Sequence, residues 1–157
     1  MRKGILVASF GTTYQDTREK NIDAIVKCVK EKYKDVDVYE AYTSSKIRKA
    51  LEKDGIKKYS VEEALEIMAG DGITHVAILP THVIDGIESE IVKADVLKMR
   101  NCFEDIKVAG VLLNSPEDYN QISVLFQRLG SKRTPGTVGD AYQDFSAGDF
   151  GFITFYS

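Results

Sequence analysis

Histidine, cysteine and long apolar runs are all scarce in this chain of 157 residues, and each scarcity removes a class of function. Its two cysteines, Cys28 and Cys102, lie far apart with no metal-motif spacing. Both fall in helical patterns, where reduced and mostly buried thiols are expected. No apolar stretch approaches the roughly 18 residues of a membrane span. The run GILVASF, seven residues after a basic start, meets a glycine turn and no small-residue cleavage site. It reads as a first strand and not as a leader peptide. Positive charge is not in excess either. A net charge of −3 and a pI near 5.5 argue against a broad nucleic-acid surface. The first loop lacks the lysine of a P-loop and the glycine spacing of a dinucleotide fingerprint. No GxSxG nucleophile elbow occurs, and neither cysteine sits at a strand end. What remains has ordinary globular composition, 43% apolar and 29% charged, with the cytoplasm as its expected compartment.

Short β-rich runs alternate with helical patterns along the chain. Gly4 to Phe10 is a continuous apolar run, as a strand buried on both faces requires. A helix starts near Asp16 or Thr17, with Ile22, Ile25, Val26 and Val29 at helical spacing. Val36 to Tyr42 reads as a second strand, and Ser44 to Lys53 as a helix closing at Asp54-Gly55. Ser60 and Glu63 form a capping box for a helix that stops at Gly70. Thr74 to Pro80 is a third strand, Ile87 to Arg100 a helix, and Lys107 to Leu113 a fourth strand. Pro116 opens a last helix running to about Leu129. Tyr39, Tyr42, Tyr119 and Phe126 are expected in the core and at its rim.

This pattern predicts a three-layer α/β domain over residues 1–129, with a four-stranded parallel sheet in the flavodoxin-like order 2-1-3-4. Residues 130–157 differ. They hold five of the twelve glycines, no leucine and no histidine, with a final strand expected at 151–157.

That strand order directs attention to the carboxyl ends of strands one and three, where the switch point of such a sheet opens a cleft. Ser9, Phe10, Gly11, Thr12 and Thr13 lie at one end and Thr81, His82 and Val83 at the other. Backbone N–H groups and hydroxyls in the first loop suit a carboxylate or phosphate, although a tight βα turn needs the same glycine for geometry alone. His82 follows Pro80 at the ligand end. An imidazole there serves as a neutral ligand for a divalent first-row metal, as a proton shuttle, or as a polar residue at the sheet rim. Glu88 and Glu90 follow, where a helix start favours carboxylates in any case. His75, at the opposite end of its strand, reads as structural.

The segments ILVASFGTTYQDTREKNIDAI, AYTSSKIRKALEKDGI, VEEAL, LPTHVIDGIESEIV and LLNSPEDYNQI, in this order, closely resemble the amino-terminal half of the anaerobic sirohydrochlorin cobaltochelatases. These are class II tetrapyrrole chelatases of cobalamin synthesis, and the resemblance covers about Lys3 to Leu129. It implies two similar α/β halves facing across a cleft, inserting Co²⁺ into sirohydrochlorin with no organic cofactor. His82 would then face the tetrapyrrole and bind metal, and Glu88 would bind metal or accept protons. The Ser9 to Thr13 loop would hold the acetates and propionates.

The chain departs from that family in two ways. Family members carry their principal metal-binding histidines in a second half, one of them in a Gly-His-Gly turn. Here the last 28 residues contain no histidine, and Phe10 stands where single-domain relatives have theirs. His82 and Glu88 are fewer ligands than a competent first-row site needs. A homo-oligomer that juxtaposes two His82 loops is one expected solution. A non-catalytic tetrapyrrole- or metal-binding half-domain, left by truncation, is the alternative.

Overall fold

The computed structural model describes residues 1–111, 113, 115–118 and 120, together with the backbone of 155–156. A parallel sheet organises them: β1 (Lys3–Ser9), β2 (Asp37–Tyr42), β3 (His75–Pro80) and β4 (Asp105–Ala109), in the order 2-1-3-4. A two-residue strand, β5 (Phe155–Tyr156), pairs antiparallel with β4 at its free edge. The rest of the 130–157 stretch lies outside the described residues, as does the predicted helix beyond residue 120.

The first connection runs through α1 (Gln15–Thr17), a π-helical turn at Arg18–Ile22 and α2 (Asp23–Lys32). After β2 come α3 (Ser45–Lys53) and α4 (Val61–Gly70), and α5 (Ile87–Met99) follows β3. The expected capping box is present at α4. Ser60 Oγ accepts from the Glu63 N–H at 3.1 Å, and Glu63 Oε2 accepts from the Ser60 N–H at 2.7 Å.

The register explains the layers. Leu6, Ala8, Ala41, Val76 and Ile78 point to one face. There they pack with Val61, Ala64, Leu65 and Met68 of α4 and with Val92 and Val96 of α5. Four consecutive residues of β1, Leu6 to Ser9, are buried, as a central strand covered on both faces demands. Tyr42 turns to the second face, beside the π-helical turn and the start of α2. It is fully buried, whereas Tyr39 is half-buried, and Tyr119 and Phe126 lie outside the described side chains.

Two expectations need correction. The fourth strand runs over Asp105–Ala109 and not Lys107 to Leu113, because pairing with β3 begins at His75↔Asp105. The apolar VLL continues past the strand, and Leu113 makes only an isolated parallel bridge to Ile84. Both cysteines are exposed: the buried position of α2 falls to Val29, and Cys102 lies past α5 in a short 3₁₀ turn.

Candidate functional site

The carboxyl ends of β1, β2 and β3 meet through a small set of polar contacts. The Thr43 N–H donates to the Ser9 carbonyl at 2.8 Å, and the Ser44 N–H donates to the Phe10 carbonyl at 3.2 Å. On the other side of β1, the Thr81 N–H donates to the Ala8 carbonyl at 2.9 Å. The Thr81 hydroxyl donates to Ser9 Oγ, also at 2.9 Å. Ser9 is thus sealed inside, with its hydroxyl engaged by a neighbouring strand and not turned to solvent.

The remaining residues of the first loop face outward. Phe10 leaves almost half its surface exposed. Gly11 has φ near +97°, and a Cβ there would sit 2.5 Å from the Tyr42 ring, so this turn accepts only glycine. Thr12 Oγ1 accepts from the Tyr14 N–H at 3.2 Å, and Thr13 is exposed. Asp16 occupies the first helical turn, so an anion at this helix start would meet a carboxylate.

His82 lies just past β3 and is half-buried. Neither ring nitrogen reaches solvent or finds a hydrogen-bond partner among the described residues. Burial pushes its pKa below the usual histidine value, and the nearby Glu88 carboxylate pulls part of the way back. At neutral pH this is an uncharged ring with a free lone pair, the form that binds a metal or takes a proton.

Glu88 belongs to the first turn of α5 and is half-buried. Its Oε2 accepts a hydrogen bond from the hydroxyl of Thr43, a buried residue 45 positions away in sequence. Glu90 instead points outward and pairs with Lys93 at 2.8 Å. His75 sits at the far end of β3, with Nδ1 2.9 Å from Thr74 Oγ1 and 3.6 Å from Glu104. The sheet therefore separates the two histidines: His82 joins Glu88, and His75 joins an exposed surface pair.

Local contacts shape the loop between His82 and Glu88. Ser89 Oγ accepts from the Gly86 N–H at 3.1 Å and donates to Asp85. Lys93 lies 3.3 Å from the same Asp85 carboxylate, and the Leu113 N–H donates to the Val83 carbonyl at 2.7 Å. Large apolar side chains of the first loop (Phe10, Tyr14), of the loop after β3 (Val83, Ile84) and of the start of α5 (Ile87, Ile91) are all exposed, Ile87 at 82%.

Sequence reasoning missed Thr43 and gave Thr81 no role of its own. Only the strand-end position of each hinted at a part in the site. Two clefts, of about 200 and 260 Å³, lie elsewhere, one along α3 beside Arg48 and Lys57, the other around Arg100 and Glu104. Exposed charged side chains line both, Lys49, Glu52 and Lys57 in the first and Arg100, Glu104 and Asp105 in the second. Among the described residues no group of three or more His, Cys, Asp or Glu side chains could hold a metal ion. No helix among them is long and apolar enough to cross a membrane.

Comparison with known proteins converges on one family. The family model described as "Cobalt chelatase (CbiK)" matches residues 3–136. The sirohydrochlorin cobaltochelatase of Salmonella typhimurium is 38% identical over 135 residues, 85% of this chain and 51% of that protein. Sirohydrochlorin cobaltochelatase CbiKC of Nitratidesulfovibrio vulgaris is 36% identical over 137 residues, 85% of this chain and 48% of that one. The chain spans about half the length of these curated relatives. A crystal structure of a CbiX protein of Marinobacter aquaeolei, described as a cobalamin (vitamin B12) biosynthesis protein, superposes with a TM-score of 0.56. It covers 83% of this chain and 99% of its own at 13% identity, a likeness of fold alone.

Proposed function

The chain belongs to the cobalt chelatase (CbiK) family, and on that premise we propose that it forms one wall of a site inserting Co²⁺ into sirohydrochlorin. The observation that carries this reading is the juxtaposition of His82, both of whose ring nitrogens are buried and unpartnered, with Glu88, oriented by Thr43. The overall change is simple to balance. Co²⁺ enters the macrocycle as two pyrrole N–H protons leave, so the site needs groups that hold an aquated metal and groups that accept protons. A neutral imidazole and a carboxylate supply both. The same pair also accepts other divalent first-row ions, and no organic cofactor is required.

Substrate contact divides along the rim. The exposed apolar side chains from Phe10 to Ile91 suit the flat face of a macrocycle. Gly11, Thr12 and Thr13 are the residues we assign to its peripheral carboxylates, and the Ser9 hydroxyl ties β1 to Thr81. One imidazole and one carboxylate fall short of the four or more ligands a first-row ion usually takes. The others come from a facing α/β unit, either the remainder of a longer protein or a second copy of this chain. The cytoplasm is the compartment we assign to it.

The test is the rate of cobalt insertion, followed anaerobically by the visible spectrum of sirohydrochlorin with Co²⁺. The protein accelerates insertion over the spontaneous rate, and His82→Ala lowers that acceleration by about a hundredfold or more. Binding of the tetrapyrrole with no rate above the spontaneous one would instead identify a non-catalytic binding half-domain.

A further inference from the structure

We infer that Thr43 is a positioning residue of this site, orienting the Glu88 carboxylate so that its second oxygen is free to share an ion with His82. The inference rests on the reading of His82 and Glu88 as the metal-handling pair.

Thr43 is immobilised before it reaches Glu88. Its N–H is held by the Ser9 carbonyl at 2.8 Å, and its own carbonyl accepts from Arg48 Nη1 at 3.0 Å. It is buried, and its β-branched side chain is stiff at χ1. A threonine hydroxyl has one proton to give, and here that proton goes to Glu88 Oε2. Glu88 stands at the start of α5, after a loop whose Val83 and Ile84 are exposed. Among the described residues, the Thr43 hydroxyl is the group that holds the Glu88 carboxylate across the gap between β2 and α5. The bond therefore links a rigid strand end to a carboxylate on a helix whose amino-terminal approach is surface loop. Carboxylate ligands in metal sites depend on such partners, whose loss typically weakens metal binding about 10- to 100-fold.

The experiment is a Co²⁺ titration of the purified chain followed by its visible absorption, with thermal melting as the control for folding. Thr43→Val keeps the shape and removes the hydroxyl, and it weakens Co²⁺ binding about 10- to 100-fold. Thr43→Ser restores the hydroxyl and stays close to the parent, a rescue that a purely packing role would not give. In a Glu88→Gln background, Thr43→Val adds little, because the carboxylate it orients is already gone. Should Thr43→Val fail to accumulate folded, Thr43→Ala carries the same comparison. Binding by Thr43→Val equal to that of the parent, with His82→Ala weakened, overturns the role of Thr43 alone. Binding unchanged by His82→Ala removes the metal-handling pair, and this inference with it.

Discussion

An imidazole whose two nitrogens are both shut off from water is costly to protonate, and His82 is in that position. Desolvation is the larger effect on it and lowers its pKa, while the Glu88 charge opposes that shift without cancelling it. In the unfolded chain the same ring titrates near the ordinary histidine value of about 6.5. Between the lowered folded value and about 6.5 the unfolded chain binds more protons than the folded one. Stability contributed by a neutral His82 is thus present above that window and is lost as pH falls through it. If His82 is a metal ligand, as proposed, metal binding follows the same ring and persists below about pH 6.5. An NMR titration of the two histidines checks this: His82 titrates below about 6.5, and Glu88→Gln moves it lower still. A midpoint above that value would contradict the burial seen here. His82's place at a strand end was readable from ILPTHV alone. Thr43 was not, because its partner lies 45 residues away and only the fold joins them.

Individual elements rest on local chemistry that the sequence displays openly. The capping box at Ser60 and Glu63 satisfies N–H groups at the start of α4, and that helix carries Val61, Ala64, Leu65 and Met68 into the core. Ser60→Ala costs about 1 kcal/mol of stability, measured by chemical denaturation at neutral pH. The Ser60 N–H bonded to Glu63 is the main reason its carboxyl is held below the ordinary range. That part of the cap is therefore present above about pH 4.3 and disappears as pH falls through the lowered value. An unchanged denaturation midpoint in Ser60→Ala would show that the cap contributes nothing. Boundaries were harder to read. The KVAGVLL run placed the fourth strand too far along, because hydrophobicity marks what is buried and not where pairing begins. Asp105 starts the ladder despite its charge, since it stands at the sheet's edge opposite His75. The π-helical turn at Arg18–Ile22 carries no signature in an apolar period that α2 continues.

At the scale of the whole molecule, the 2-1-3-4 order does most to make a site. It brings the ends of β1, β2 and β3 together, and alternation of strand and helix was enough to anticipate it. The same order puts the two histidines at opposite ends of β3, about 20 Å apart at the usual rise per residue. His82 has the buried pair, and His75 has an exposed partner, Glu104. Strand order brings one imidazole and one carboxylate together here, His82 and Glu88, and the facing wall belongs to the proposal. The position of the metal is then open to a direct measurement, because the chain contains only these two histidines. X-ray absorption at the cobalt edge, on Co²⁺-loaded protein, reports imidazole scattering from each in turn. If His82 holds the metal, this signal is present in the parent and in His75→Ala and is lost in His82→Ala. A signal that survives His82→Ala, or one that vanishes in His75→Ala, would contradict it.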